Sequence, residues 1–391
     1  MSQRLSTNLA RVQRTCFLVA GVGALLLALG FFVDRQRFYQ SYLLGYLYVL
    51  APALGSLAFF MLHNMTGGGW GFAIKRLLEA AMRTLPALAA LFVPIGFGIH
   101  SLYEWSHDDV VAQDLILQHK APYLNVPFFL ARAALYFALW TGLALYLLKQ
   151  VDKYDRKLSL KALRKLKGLS GLGIVLYVLT MTFASFDWAM SLEPHGYSTI
   201  YGLHFIVGQG LTTLCLMIVV ASRLVRHEPF DRWIKPGHFH DLGNLTMAFV
   251  MLWAYVSFSQ FLIIWSGNLP EEVPWYLKRT AGGWQAIALL LVACHFAVPL
   301  FVLLLRNSKR KPERLAKIAA ALLGVRLLDY YWQIAPAFDH HGGFHPHWLD
   351  AAAPVTLGAL WLGLFTRNLR GRPLVSLQDA KLLGQLEAPA H

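Results

Sequence analysis

The chain has 391 residues, 57% of them hydrophobic and only 14% charged, with a mean hydropathy of +0.47. A soluble domain carries about a quarter charged residues, so a water-exposed surface of ordinary size is excluded. The charge that remains is basic, 35 Lys+Arg against 21 Asp+Glu. In a soluble protein this would suggest nucleic acid, but these bases fall between apolar runs, so no nucleic-acid partner is expected.

A span needs about 20 mostly apolar residues to cross the ~30 Å hydrocarbon layer. Ten runs meet this in chain order, near 15–33, 42–63, 85–103, 125–148, 169–190, 198–222, 242–265, 283–305, 316–336 and 349–366. The first follows Arg4, Arg11 and Arg14 but outruns a signal-peptide core. Phe31-Phe32-Val33-Asp34 offers no small-residue cleavage site, so it reads as a retained anchor. Every connection is about 25 residues or shorter, a length that forms no separate soluble domain. The predicted organisation is one membrane domain over 1–391 with a cytoplasmic tail at 367–391.

Orientation follows from the alternation of Lys and Arg. With the N-terminus inside, inner segments hold 28 of the 35 bases, and eight of these lie in 149–167. The outer loops hold five, Arg35, Arg37, Lys120, Lys278 and Arg279; Arg132 and Arg326 fall within spans. This predicts a multi-pass protein of a bacterial cytoplasmic membrane with both termini cytoplasmic.

The outer loops are acidic, aromatic and rich in histidine: Glu104-Trp105-Ser106-His107-Asp108-Asp109, Pro270-Glu271-Glu272-Val273-Pro274-Trp275-Tyr276, and Asp339-His340-His341-Gly342-Gly343-Phe344-His345-Pro346-His347-Trp348. Trp and Tyr suit an interfacial belt. Neutral imidazole is the commonest metal ligand, yet Gly342-Gly343 and Pro346 break any helical ligand spacing, and docking of a partner is the preferred reading. Cys16, Cys215 and Cys294 all lie in apolar runs and form neither a haem attachment motif nor an iron–sulfur ligand set. No G-x-G-x-x-G loop follows a strand, so no cofactor is expected on this chain.

Ionisable groups inside a bilayer normally face the bundle interior and serve a function. Chain direction places most of them in the outer half: His100 and Glu104 on helix 3, Asp187 on helix 5, His204 and Gln209 on helix 6, Gln260 on helix 7, Gln285 on helix 8. Arg326, Asp329 and Gln333 share one face of helix 9 at i, i+3 and i+7. The inner half reads as nearly bare apart from His63, with His295 near the middle. Asp187, Asp329, Arg326, Glu104 and His204 are predicted to be buried at one depth, Asp329 ionised beside Arg326, and Asp187 and Glu104 available for proton exchange. That depth suits an amphipathic headgroup from the lipid phase that releases protons outward, as a quinol does.

The segment Phe186-Asp187-Trp188-Ala189-Met190-Ser191-Leu192-Glu193-Pro194-His195-Gly196-Tyr197-Ser198-Thr199-Ile200-Tyr201-Gly202 resembles the helix 5–6 junction of the NrfD/polysulfide-reductase membrane-subunit family. His240-Asp241-Leu242-Gly243-Asn244, Trp253-Ala254-Tyr255 and Ser259-Gln260-Phe261-Leu262-Ile263-Ile264-Trp265 extend the resemblance to the quinol-pathway membrane subunits of Alternative Complex III, in particular the second, shorter one. The likeness is close over about 185–283, and Gly196 departs from it where an aromatic residue often follows the histidine. It implies an all-α polytopic fold: two four-helix bundles, helices 2–5 (42–190) and helices 6–9 (198–336), flanked by helices 1 and 10. An internal echo agrees, since Tyr103-Glu104-Trp105-Ser106 and Ile263-Ile264-Trp265-Ser266 end helices 3 and 7, and Asp187 and Asp329 close helices 5 and 9.

The resemblance further implies a subunit of a quinol-oxidising respiratory complex. Its partners are a second NrfD-like membrane subunit, a periplasmic iron–sulfur subunit, haem c subunits and a terminal oxidase, with the redox centres held by those partners. His100, Glu104, Asp187, Glu193, His195, His204, Gln260, Arg326 and Asp329 are the candidates for quinol contact or proton passage. Two alternatives stay open. A secondary transporter would show paired helix breaks in both halves, which Pro94, Pro127 and Pro299 do not supply symmetrically. A di-haem cytochrome would need histidine pairs at matched depth, as His100 with His204.

Overall fold

A computed structural model describes residues 3–157, 160–228, 230–339, 343–370 and 372–375. His340 and His341 of the histidine-rich loop, and 376–391 of the expected tail, lie outside the described residues. The fold is all-α, with no strand among the described residues. Nine helices among them are long and apolar enough to cross a membrane, and the protein is a multi-pass membrane protein.

The long elements are α1 (Gln3–Val33), α2 (Arg35–Thr66), α3 (69–102), α4 (Val126–Lys157), α5 (Leu160–Trp188), α6 (Tyr201–Leu224), α7 (Pro236–Gly267), α8 (284–304), α9 (Pro312–Ile334) and α10 (Trp348–Arg370). The helix outside the nine is α9; Arg326 and Asp329 interrupt its apolar stretch, yet it fills the tenth expected position. Two elements are irregular. α3 consists of four pieces, Gly69–Met82, Leu85–Leu91, Val93–Phe97 and Ile99–Leu102; Pro86 and Pro94 cannot donate to the preceding turns, and the third break falls at Gly98. α8 carries a π-helical turn at Val292–Ala297 ahead of Pro299. α7 runs unbroken, so the interruptions are not paired between the two halves, as an inverted-repeat transporter would require.

Packing closes two rings, α2–α3–α4–α5 and α6–α7–α8–α9, each helix touching the next and the last touching the first. The rings meet where α6 lies against α2 and α5, and α1 and α10 pair against α2. α2 is the shared wall, its apolar stretch 89% buried. Close approach relies on small residues, as in membrane helix pairs generally. At Gly55 of α2 a Cβ would lie 2.7 Å from the Gln209 carbonyl oxygen of α6.

One end of the helices is basic, with the α4–α5, α6–α7 and α8–α9 connections. The other carries the acidic, aromatic loops and is called the loop end below. The basic half is not bare. α3 begins at Gly69 rather than near 85, and Arg76 and Glu79 are buried on it. Arg76 donates to Glu79 at 2.7 Å and to Asp155 of α4 at 2.6 Å, so charges that look like a loop are neutralised inside the helix packing. Arg83 lies 3.8 Å from Asp152, which Arg372 also engages.

Candidate functional site

The polar centre of the second ring is built from α9. Arg326 and Asp329, one turn apart, are both fully buried and form an ion pair. The guanidinium fits because Gly208 of α6 has no side chain; a Cβ there would lie 2.2 Å from Arg326 Nη2. Arg326 Nε also donates to Thr212 Oγ1 at 3.4 Å, and the cation lies 4.9 Å from the Tyr330 ring centre. Asp329 Oδ2 accepts from Trp253 Nε1 of α7 at 3.2 Å and lies 4.0 Å from His204 Nε2 of α6. Ser257 Oγ is 3.4 Å from the same histidine nitrogen. Asp329 Oδ1 has no hydrogen-bond partner. Behind Trp253, the buried His295 of the π-helical turn stacks on the indole at 3.8 Å between ring centres, with neither ring nitrogen bonded.

His204, Trp253, Ser257 and Asp329 of this cluster line the inner wall of a cavity of about 770 Å³ between α7 and α8. Gln260 and Thr280 add two further polar groups, and the rest of the lining is apolar or aromatic. Tyr255, Phe258, Leu289 and Val292 at its mouth are exposed on the lipid-facing side of the helices. Cavities of roughly 300–1,000 Å³ with a few convergent polar groups are typical of small-molecule sites. Gln260 and Trp275 also line a second void of about 20 Å³ that reaches Glu193, Tyr201 and Glu272. A space of roughly that size holds one water, and it lies between Gln260 of the cavity wall and Glu193 at the loop end.

Glu193 at that rim is not free. Arg279 Nη2 lies 2.7 Å and Lys278 Nζ 3.3 Å from its carboxylate. Arg279 is buried, stacks 3.8 Å from the Trp275 ring centre and donates to the Trp332 and Gln333 carbonyls, capping the end of α9. Nearby, His195 Nε2 sits 2.6 Å from Asp114 Oδ2. The histidine hydrogen bond, helped by the Leu117 and Ile116 backbone N–H groups, holds Asp114 below the usual carboxylate range. Lys120 donates to the Pro194 carbonyl at 2.5 Å, and partial burial lowers its ammonium pKa.

The structure divides the expected single-depth cluster. His204, Gln260, Arg326 and Asp329 come together around the cavity. Asp187 belongs to the first ring, where Arg132 of α4 grips it with two bonds of 2.9 Å and Tyr136 adds a third of 2.9 Å. Arg132 is itself held against the Tyr123 and Phe128 rings. Asp187 is thus held in an ion pair within the first ring, away from the α7–α8 cavity. His100 and Glu104 are exposed, against the expectation that Glu104 is buried. Their i, i+4 spacing supposes one helix, but α3 ends at Leu102 and Glu104 opens a 3₁₀ turn. The His100 carbonyl meets His107 Nε2 at 2.8 Å. His100 is exposed on the first ring and His204 buried in the second. Among the described residues no three His, Cys, Asp or Glu side chains cluster as metal ligands.

The contacts of Arg132, Arg279, Trp253 and His295, though not the residues themselves, escape a reading of sequence alone. Arg132 and Arg326 were visible as in-span charges, and the first of these was the available signal for the Asp187 pair. No protein-family model matches this chain, and no curated protein does.

Proposed function

We propose that this chain is a membrane subunit of a quinol-oxidising respiratory complex, that it binds a quinol headgroup in the α7–α8 cavity, and that it conducts protons from there to the loop end. The observation that carries the proposal is the cavity: open to lipid through an aromatic mouth, and closed inside by His204, Gln260 and Asp329. A quinol partitions into the bilayer and needs a lateral entrance. Its ring suits Trp253, Phe258 and Tyr276, and its hydroxyls need acceptors at the inner wall. The imidazole of His204 is such an acceptor, with Asp329 behind it, Gln260 orients, and the void past Gln260 that reaches Glu193 supports proton release at the same end.

The resemblance of 185–283 to the membrane subunits of Alternative Complex III supports the same reading. On it the loop end is periplasmic, and the electron acceptors belong to partner subunits: a second NrfD-like subunit beside this one, iron–sulfur and haem c subunits above it, and a terminal oxidase. The test uses an azidoquinone photoprobe on the native complex, followed by peptide mapping. Label is expected on α7 and α8 and should fall at least tenfold in Ala254→Trp or Ala288→Trp, which fill the cavity. Label confined to other helices, or undiminished in both variants, overturns the proposal.

A further inference from the structure

α1 uses its small residues in two ways. On one face Gly23 and Gly30 are pressed against α10, where a Cβ would meet Thr356 Oγ1 at 2.1 Å and a Leu349 methyl at 2.5 Å. On another face Gly21 has nothing within 4 Å of a Cβ. With Ala24 and Ala28 it floors an apolar groove of about 640 Å³ walled by α2, α10 and Leu91 of α3. The groove runs along α1 from Phe17 to Phe32. At 1.5 Å per residue that is roughly 22 Å, more than the ~15 Å depth of one leaflet of a ~30 Å hydrocarbon layer.

At the loop-end mouth of this groove stands Arg35. Its guanidinium lies 5.5 Å from the Phe31 ring centre and 5.9 Å from that of Tyr39, and Phe31 lines the groove. The loop end has few bases, and the others are engaged within the protein: Arg37 with Asp350, Lys120 with the Pro194 carbonyl, Lys278 and Arg279 with Glu193. Among the described residues Arg35 is the one loop-end base with neither a hydrogen bond nor an ion pair, and it is exposed. A cation at the edge of an apolar furrow that spans a leaflet matches a phosphodiester carrying acyl chains.

We propose that the α1–α2–α10 groove binds one anionic phospholipid, its phosphate on Arg35 and an acyl chain along Gly21, Ala24 and Ala28. This site is separate from the α7–α8 cavity and does not depend on the function proposed above. One base near a membrane surface contributes about 1 kcal/mol to anionic-lipid binding, a factor of about five. The full-length chain is reconstituted in nanodiscs of equal phosphatidylglycerol and phosphatidylcholine, released into mild detergent and weighed by native mass spectrometry. One retained phosphatidylglycerol is expected. Its preference over phosphatidylcholine should fall about fivefold in Arg35→Gln. Gly21→Phe, whose ring fills open groove, should remove the retained lipid while thermal unfolding stays unchanged. Equal retention of both lipids by the wild type, or an unchanged preference in Arg35→Gln, overturns the proposal. So does disulfide capture of a partner polypeptide, rather than lipid protection, at Gly21→Cys in the native complex.

Discussion

Arg326→Ala is the perturbation that tests the centre of the second ring most directly. It leaves Asp329, fully buried, with the Trp253 indole as its nearest remaining donor. Breaking a buried pair by removing one partner costs about 3–5 kcal/mol, because the surviving charge is left uncompensated. At 1.4 kcal/mol per decade this is roughly two to three and a half orders of magnitude in the folding or assembly equilibrium. Gly208→Ala should act in the same direction by a different route, since its Cβ would overlap Arg326 Nη2 and push the cation off its partner. The assay is the yield of monodisperse protein and its thermal unfolding in detergent.

Destabilisation alone does not separate a structural pair from a functional one. The double variant Arg326→Met/Asp329→Leu does. Replacing a buried ion pair by apolar residues of similar volume is often neutral or stabilising, so the double variant should recover the yield lost in Arg326→Ala. If Asp329 accepts a quinol proton, the recovered protein should still lack quinol-dependent electron transfer in the native complex. Wild-type activity in the recovered double variant would refute the reasoning and reduce the pair to packing.

The remaining predictions concern other parts of the molecule. In intact cells, single cysteines at Asp109 and Lys161 should be labelled by a membrane-impermeant maleimide only at Asp109; labelling at Lys161 alone reverses the topology. Arg132→Met should lower thermal stability by about 3–5 kcal/mol through stranded Asp187 while quinone photolabelling of the second ring persists in the protein that folds; loss of that label at full stability would join the two rings functionally. Asp114 has its carboxyl pKa lowered by His195 and two backbone N–H groups, so its contribution is fully present above the unfolded carboxylate pKa of about 3.9 and is lost as pH falls through the lower folded value. Spin labels at Val110 and Tyr197 should therefore hold one distance from pH 8 to about 5 and spread only below about pH 4; a spread near neutrality contradicts the assignment. The chain purified alone with native lipids should carry no stoichiometric haem or iron and should not oxidise quinol, and either signal would move the redox centre onto this subunit.

The ten helices were legible because a bilayer imposes its thickness on the sequence: each apolar run became one helical passage, broken in α3 and α8, and even the helix carrying Arg326 and Asp329 formed where expected. The start of α3 was not, because Lys75, Arg76 and Glu79 read as a solvated loop until Asp155, on another helix, supplies the missing partner. The same limit separated the candidate residues. Arg326 and Asp329 were read as a pair because both lie on one helix three residues apart. Asp187 depends on Arg132, 55 residues earlier on α4, and no local period links them. His100 and Glu104 failed for the opposite reason, since a periodicity that held on paper was cut by the end of α3 at Leu102. His295 gave no signal beyond its depth; only a π-helical turn, which has no sequence period, brings it against Trp253.

The two rings echo each other, with an aspartate closing α5 and α9, but they treat that aspartate differently. Asp187 is satisfied on both oxygens by Arg132 and Tyr136, and no cavity opens beside it among those described above. Asp329 shares its cation on one oxygen, keeps the other unbonded, and stands in the wall of the largest apolar cavity described. A buried carboxylate gripped by a cation and a hydroxyl of the neighbouring helix ties the two helices together. That asymmetry makes the Asp187 pair part of the frame against which α6 is held, and under the function proposed above it assigns proton transfer to the second ring, where Asp329 stands in the cavity wall.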